Sequence, residues 1–249
     1  MLMGDDGRRM VNAQRKHITL LAMALLCASG CLGSGEDAPA GNGVEHMGAL
    51  LPWKPGNSWT YRVTDDEGTT TKITTIAAAP EPVGLGPLKD TMAYRVVTKK
   101  SDGADQTVSW QAQLGDMVVR YREQSYAAST GKLELEEYWQ PYKVHIDGSA
   151  EHTKAGAAWP MHYDETKIKV TDDVLGTPTT EPTDDAWKVL NASTEHVAVT
   201  VPAGTFEDPV IIQKAGGSSL KTYWYVRGIG KVKESGGQTE ELVSFTVSP

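Results

Sequence analysis

From Trp53 onward the dominant pattern is alternation, apolar or aromatic residues at every second position of successive segments with polar residues between. A period of two places successive side chains on opposite faces of an extended strand. Trp59, Tyr61 and Val63 share one face. Asp65-Asp66-Glu67-Gly68 then turns the chain into a Thr-rich strand over 69–77, and 80–87 reads as a loop broken by proline and glycine. Met92, Tyr94 and Val96 begin a third strand. Ser101-Asp102-Gly103 turns it into 107–114, where Val108, Trp110 and Ala112 align, and Gly115-Asp116 turns again into 117–126. In 133–144 Leu133, Leu135, Glu137 and Trp139 fall on one side, and Pro141 marks an edge or a bulge. A loop over 147–158 and a strand over 159–171 follow. Residues 172–185, with glycine, two prolines and four threonines, read as a linker or long surface loop. Strands resume at 187–190, at Val197-x-Val199-x-Val201, and at 209–213, 220–226 and 242–247, the last with Val243, Phe245 and Val247 on one face. No stretch keeps a 3.6-residue period with caps, so helices should be few and short.

These elements predict an all-β, mainly antiparallel domain over 50–249, either a two-layer sandwich or a half-open barrel. Short turns join the strands into a meander. Lys54-x-Gly56-x-x-Trp59 recurs as Lys154-x-Gly156-x-x-Trp159, one hundred residues later. The echo raises the expectation of two similar halves, 50–146 and 147–249.

One stretch departs from the alternation. Arg8, Arg9, Arg15 and Lys16 precede a nine-residue apolar run, 18–26, and then small residues. A spanning helix needs roughly 20 apolar residues, so this run fits the core of a signal peptide. Ala28-Ser29-Gly30-Cys31 resembles the bacterial lipobox, departing from it at Ala28, where leucine is usual. That resemblance implies cleavage before Cys31 and lipidation of Cys31. Cys27 fits less well because Leu26 sits immediately before it. The alternative is an ordinary secretory signal cut near 28–30. The expected organisation is a signal peptide over 1–30, a Gly-, Ser-, Ala- and Pro-rich tether over 31–49 starting at lipidated Cys31, and the β-rich domain over 50–249. Acyl chains contribute roughly 0.8 kcal/mol per buried methylene, so a multiply acylated cysteine would hold the protein on a membrane. We expect the outer membrane, with the facing side open.

Composition supports export and narrows the partners. Cys27 and Cys31 are the two cysteines, so the domain after the tether has no thiol chemistry, no disulfide and no Cys-based zinc site. Residues 1–30 carry four basic and two acidic side chains. Their removal leaves 20 Lys and Arg against 30 Asp and Glu, a net charge of −10. That balance argues against nucleic acid and against electrostatic adhesion to anionic lipid.

Two further stretches resemble a group of uncharacterised bacterial envelope lipoproteins. One is Leu51-Pro52-Trp53-Lys54-Pro55-Gly56-Asn57-Ser58-Trp59-Thr60-Tyr61. The other is Val201-Pro202-Ala203-Gly204-Thr205-Phe206, with Thr222-Tyr223-Trp224-Tyr225-Val226-Arg227-Gly228-Ile229-Gly230-Lys231-Val232-Lys233 beyond it. The resemblance implies structural roles: turns at Gly56-Asn57 and 202–205, and bends at Gly228 and Gly230. It implies no activity.

Candidate chemistry is sparse. His145, Asp147, Glu151, His152, His162, Asp164 and Glu165 are the residues that a metal or acid–base site would use, but no HExxH spacing or helix supports one. His196 reads as surface, and His46 lies in the tether. Nucleophile elbows and phosphate loops are missing. Trp59, Trp110, Trp139, Trp159, Trp187 and Trp224 are numerous, and exposed members of that set would make a groove for sugar, peptide or acyl chain. Tyr223 and Tyr225 should face opposite to Trp224. The expectation is therefore a non-catalytic, membrane-anchored envelope lipoprotein that binds or scaffolds, with no catalytic residue, cofactor or metal assigned. Its partners would be the membrane and an unidentified envelope protein, glycan or lipid. The alternatives are a hydrophobic-ligand or lipid carrier on a half-barrel, and a hydrolase built on the His/carboxylate cluster.

Overall fold

Most of the long strands end at short turns, so most consecutive strands pair as hairpins. The computed structural model describes residues 48–101, 105–190, 196–216 and 219–248. Cys31, His46 and the stretch before Gly48 lie outside the described residues. In chain order the strands are β1 (Ser58–Asp65), β2 (Gly68–Pro82), β3 (Met92–Lys100), β4 (Asp105–Leu114), β5 (Met117–Tyr126), β6 (Leu133–Asp147), β7 (Ala158–Thr171), β8 (Val174–Leu175), β9 (Thr179–Val189), β10 (Ala198–Val201), β11 (Gly204–Glu207), β12 (Val210–Gly216), β13 (Ser219–Val226), β14 (Gly230–Gly236) and β15 (Gln238–Thr246). A single turn of helix, α1 (Ala150–Thr153), sits between β6 and β7.

The all-β, antiparallel expectation holds, but the sandwich or half-open barrel does not. The sheet runs β6-β5-β4-β3-β2-β1-β15-β14-β13-β12-β9-β7, and β6 also pairs with β7. Twelve strands therefore close into a barrel. Two ladders complete it: β1 on β15, with Arg62 opposite Glu241, and β6 on β7, with Trp139 opposite Glu165. Among the described residues, closure gives every long strand a partner on both sides. β10 and β11 form a separate hairpin, and β8 extends β7.

Local expectations fail in three places. The region 172–185 is not a linker. Asp172 and Asp173 take positive φ and turn the chain, and β9 then pairs with β7 from Thr179 onward. Its polar residues reflect exposure rather than irregularity. β2 continues through Pro80 to Pro82 past an irregularity, so the β2–β3 loop is 83–91. Val243 and Phe245 are exposed, while Leu242 and Glu240 are buried. A register shift between Thr60 and Tyr61 displaces the β1–β15 pairing there. By contrast, Pro141 marks an irregularity as expected, because the β5–β6 register jumps from Tyr138 to Lys143 across it.

One end of the barrel is plugged. The strands that start or finish there give their terminal residues to a single apolar cluster. It includes Trp59 of β1, Trp159 of β7, Trp187 and Val189 of β9, Tyr225 of β13 and Leu242 of β15, with Leu50, Leu51 and Trp53 from the segment before β1. The two echo segments make the same turn here. Asn57 N donates to Lys54 O and Ala157 N to Lys154 O, with Gly56 and Gly156 both at positive φ. Each turn delivers its tryptophan, Trp59 or Trp159, into the plug.

Asn57, fully buried, fastens the segment before β1 to the segment after β15. Its amide donates to Pro52 O at 2.9 Å, and its Oδ1 accepts from Ser248 N at 2.9 Å. Arg227 adds a second tie, donating to Thr153 Oγ1 at 2.8 Å and Gly48 O at 3.3 Å. Asn57→Ala leaves two buried backbone groups without their partners. We expect a loss of about 1–3 kcal/mol of stability, read as a lower urea midpoint with an unchanged slope.

A second apolar cluster lies outside the wall. Val83 and Leu88 of the β2–β3 loop cover Val108, Trp110, Tyr121 and their neighbours on β3–β6. Trp110 Nε1 donates to Glu81, Arg122 stacks over the Trp110 ring at 4.1 Å, and Arg122 also pairs with Glu136. Elsewhere the outer wall is ionic. Arg62 bonds Glu241 at 2.6 Å, His162 pairs with Asp184, and Asp164 and Lys188 are exposed. Charges at such positions are costly against lipid, so this wall is built for water.

Candidate functional site: a charged barrel lumen

A barrel of about eight strands is filled by its own side chains, whereas wider ones enclose space. Here the lumen above the plug is a cavity of about 700 Å³. It opens at the end carrying the short turns, where Lys167 and Lys221 on the wall are 51% and 38% exposed. It reaches the plug, because Arg120 and Lys143 still keep 20% and 26%.

The lumen wall is ionic. Seven cations line it, Lys72, Arg120, Lys143, Lys167, Lys214, Lys221 and Lys231. Six carboxylates face them, Glu123, Glu137, Glu165, Asp185, Glu234 and Glu240. They are placed by alternation: Tyr163, Glu165 and Lys167 on β7, Lys221, Tyr223 and Tyr225 on β13, Thr183, Asp185 and Trp187 on β9. As expected, Tyr223 and Tyr225 face opposite to Trp224, which lies half-buried against Lys233.

Two groupings emerge. On β2, β13, β14 and β15, three lysines share two carboxylates. Lys231 bonds Glu234 at 2.5 Å and Glu240 at 2.7 Å, Lys72 also pairs with Glu240, and Lys221 bonds Glu234 at 2.8 Å. Burial works against the Lys231 charge, but Glu234 and Glu240 outweigh it and raise the ammonium well above its ordinary value. Burial would raise the Glu234 carboxyl, yet Lys231 and Lys221 bring it down to about 2. Lys72 is the surplus cation. Burial, then repulsion from Lys231, lowers it to about 8 despite its bond to Glu240.

The second grouping lies nearer the plug. Arg120 bonds Glu123 at 2.5 Å, Lys214 bonds Asp185 at 2.7 Å, and Lys143 reaches Glu165 at 3.5 Å. Lys143 lies over the Trp139 ring at 4.9 Å and Lys214 over Trp187 at 4.9 Å. Burial, then the charges of Arg120, Lys231 and Lys214, press the His145 imidazole well below its ordinary value, so it is neutral at pH 7.

The His/carboxylate cluster is split three ways. His145 and Glu165 line the lumen, the latter accepting from Trp139 Nε1 and Lys167. His162 and Asp164 are on the outer wall. Asp147 and His152 meet at 2.5 Å beside the plug, with His152 stacked on Trp159 and Ser149 capping α1. Burial would raise the Asp147 carboxyl, but hydrogen bonds from His152 and Ser149 hold it below its ordinary range. Glu151 is exposed, and Asp65 accepts from Glu67 N and Gly68 N of its own turn. His196 is exposed beside Asp208. The tryptophans form no surface groove: Trp59, Trp110, Trp139, Trp159 and Trp187 are buried. Nor is the lumen the apolar face that an acyl-chain carrier needs, since an alkyl ligand would strip water from charges without replacing it.

Lumen residues missed in the sequence include Lys72, Arg120, Lys143, Lys214, Lys231 and Glu240. Their signal is charge or aromatic character at every second position, as in Tyr163-x-Glu165-x-Lys167, which reads equally as a solvated face.

No protein-family model matches the chain, and no curated protein matches it. Among solved structures, a protein of Bacteroides fragilis described as exported, with a YmcC-like fold, is similar at 10% identity and TM-score 0.43, over 80% of this chain and 99% of that one. A Parabacteroides distasonis protein described as a lipoprotein is similar at 10% identity and TM-score 0.39, over the same shares.

Proposed function

We propose that this chain is a non-catalytic, lipid-anchored protein of the bacterial envelope, held at the outer membrane by Cys31, that binds a small polar molecule in its barrel lumen. The observation that carries the binding role is the lumen itself: about 700 Å³ of space walled by 13 Lys, Arg, Asp and Glu side chains rather than filled by apolar ones. Burying that many charges costs stability that an apolar filling would not. A wall of this kind fits a ligand rich in hydrogen-bonding groups. The anchoring role rests on the cationic, apolar and small-residue order of residues 8–31.

Each half has its own test. In the native bacterium, Cys31→Ser should move the protein from the membrane fraction to the soluble envelope fraction. Retention on the membrane would refute the anchor. For the lumen, the acylated full-length protein purified from its own envelope in detergent should carry a small-molecule adduct in native mass spectrometry. Absence of any adduct, with no saturable binding of small polar probes, would leave a scaffold role instead.

A further inference from the structure

We infer that the plug end of the lumen is a binding site for a small anion, a molecule bearing a carboxylate or phosphate group, held by Arg120, Lys143 and Lys214 with the indole N–H groups of Trp53 and Trp187. The inference rests on reading the lumen as a ligand site and adds the sign of the ligand.

Three observations carry it. The first is charge. The whole chain is −8, yet the lumen wall holds seven cations and six carboxylates with a neutral His145. The interior thus escapes the acidic excess of the chain: three cations meet three carboxylates at the plug end, and the one surplus cation, Lys72, belongs to the other grouping. The second is unmet hydrogen-bonding capacity. Besides Trp159 Nε1 in the plug, four buried side-chain atoms among the described residues have no protein hydrogen-bond partner: Trp53 Nε1, Trp187 Nε1, Arg120 Nε and Gln111 Oε1. All four residues line the lumen, and Trp53, Trp187 and Gln111 are each more than nine-tenths buried. Three of these four atoms are donors. A buried donor left unpaired costs free energy, and an anion, being acceptor-rich, is the chemistry that satisfies several at once.

The third observation is placement. Gln111 and Arg120 are register partners on β4 and β5. Lys214 is a register partner of Trp187 on β9 and β12. Lys143 and Arg120 both lie over the Trp139 ring, at 4.9 and 5.9 Å. Lys143 is the least committed of the three cations. It carries three N–H donors, and Glu165 Oε1, at 3.5 Å, is shared with Trp139 Nε1. Glu165 Oε2 is bonded to Lys167 at 2.7 Å. An incoming carboxylate or phosphate oxygen can therefore engage Lys143 without breaking a short ion pair.

The test measures binding to the detergent-solubilised full-length protein by tryptophan fluorescence and calorimetry. The probes are inorganic phosphate and D-glucuronate, with D-glucose and D-glucosamine as neutral and cationic controls. An anionic probe should bind saturably and perturb the fluorescence of the lumen tryptophans. Lys143→Met should weaken that binding by about 10-fold or more, the loss of one charge-assisted contact, while near-UV circular dichroism stays native. Lys143→Arg should restore it, and His162→Gln on the outer wall should leave it unchanged. Anion binding indifferent to both Lys143→Met and Trp187→Phe would overturn the site. Saturable binding of glucose or glucosamine without either anion would overturn the sign of the ligand and leave the lumen reading standing. Binding of no probe, together with no adduct in native mass spectrometry, would overturn both.

Discussion

Lys231→Met should be among the most destabilising conservative-volume changes in the barrel, at about 3–5 kcal/mol, the scale for removing one partner from a buried ionic network. Lys231 is the only lumen cation bonded to both Glu234 and Glu240 among the described ion pairs, and those carboxylates are 6% and 2% exposed. Without it, Glu240 keeps Lys72 and Gln238, and Glu234 keeps Lys221 alone. The neighbouring Lys72→Met should behave differently, changing stability by about 1 kcal/mol or less. It removes the cation that burial and Lys231 already push down to about 8, so relief of repulsion and desolvation offsets the lost bond to Glu240. Urea denaturation of the two variants side by side is the check. Equal losses would show that the lysines act as independent pairs.

The same network sets an acid window. Glu234 is held at about 2, below its ordinary 4.5, and Glu240 is also lowered. A lowered carboxyl contributes stability in full above its unfolded value, and that contribution is lost as pH falls toward the folded one. Stability should therefore drop between about pH 4.5 and pH 2, and Glu234→Gln should flatten that part of the curve. Lys72 has the opposite sign from a paired base. With its folded value lowered, the unfolded chain holds its proton more tightly, so stability rises from about pH 8 toward 10.5.

The sequence made the strands legible and left their closure hidden, for a physical reason. Alternation reports that one face differs from the other, but a sandwich and a barrel share that period. What closes this sheet is the pairing of β1 with β15 and of β6 with β7, and no local residue announces a partner that far along the chain. The site was hidden by the same logic. Glu165 and Lys167 alternate with Asp164 and Thr166, so both faces of β7 are polar, and polarity alone does not say which face encloses space. The aromatic count was informative in kind though wrong in place. Of the tryptophans expected at a surface groove, Trp59, Trp159 and Trp187 enter the plug, Trp139 packs under lumen cations, Trp110 lies in the outer apolar cluster and Trp224 is half-buried on the outer face. The Gly-x-x-Trp echo was readable because a turn followed by a core aromatic is a local instruction, and both copies carry it out.

Gly236→Ala should disrupt the β14–β15 turn by about 3 kcal/mol or more, whereas Gly237→Ala, one residue on, should cost about 1 kcal/mol. Both glycines take positive φ, +124° and +80°, where an L side chain is strained. The difference is what a methyl group would meet. At Gly237 nothing lies within 4 Å, so the penalty is conformational only. At Gly236 a Cβ would sit 2.4 Å from Leu220 O and 3.0 Å from Lys221 Cα. Both are backbone atoms of β13, held by pairing with Ala215 and Lys214 of β12 and next to the first β13–β14 pair, Thr222 with Ser235. They cannot swing away as a side chain can, so the turn itself must move. That movement reaches the ionic network, because β14 carries Glu234 two residues before the turn and β15 carries Glu240 three residues after Gly237. The Gly236→Ala variant should lose the acid window along with its stability, since its carboxylates would no longer be held against Lys231. Thermal melts at pH 7 and pH 3 distinguish the outcomes. A Gly236→Ala protein that melts like Gly237→Ala at both would mean that β13 yields at this point and that the turn does not set the spacing of Glu234 and Glu240.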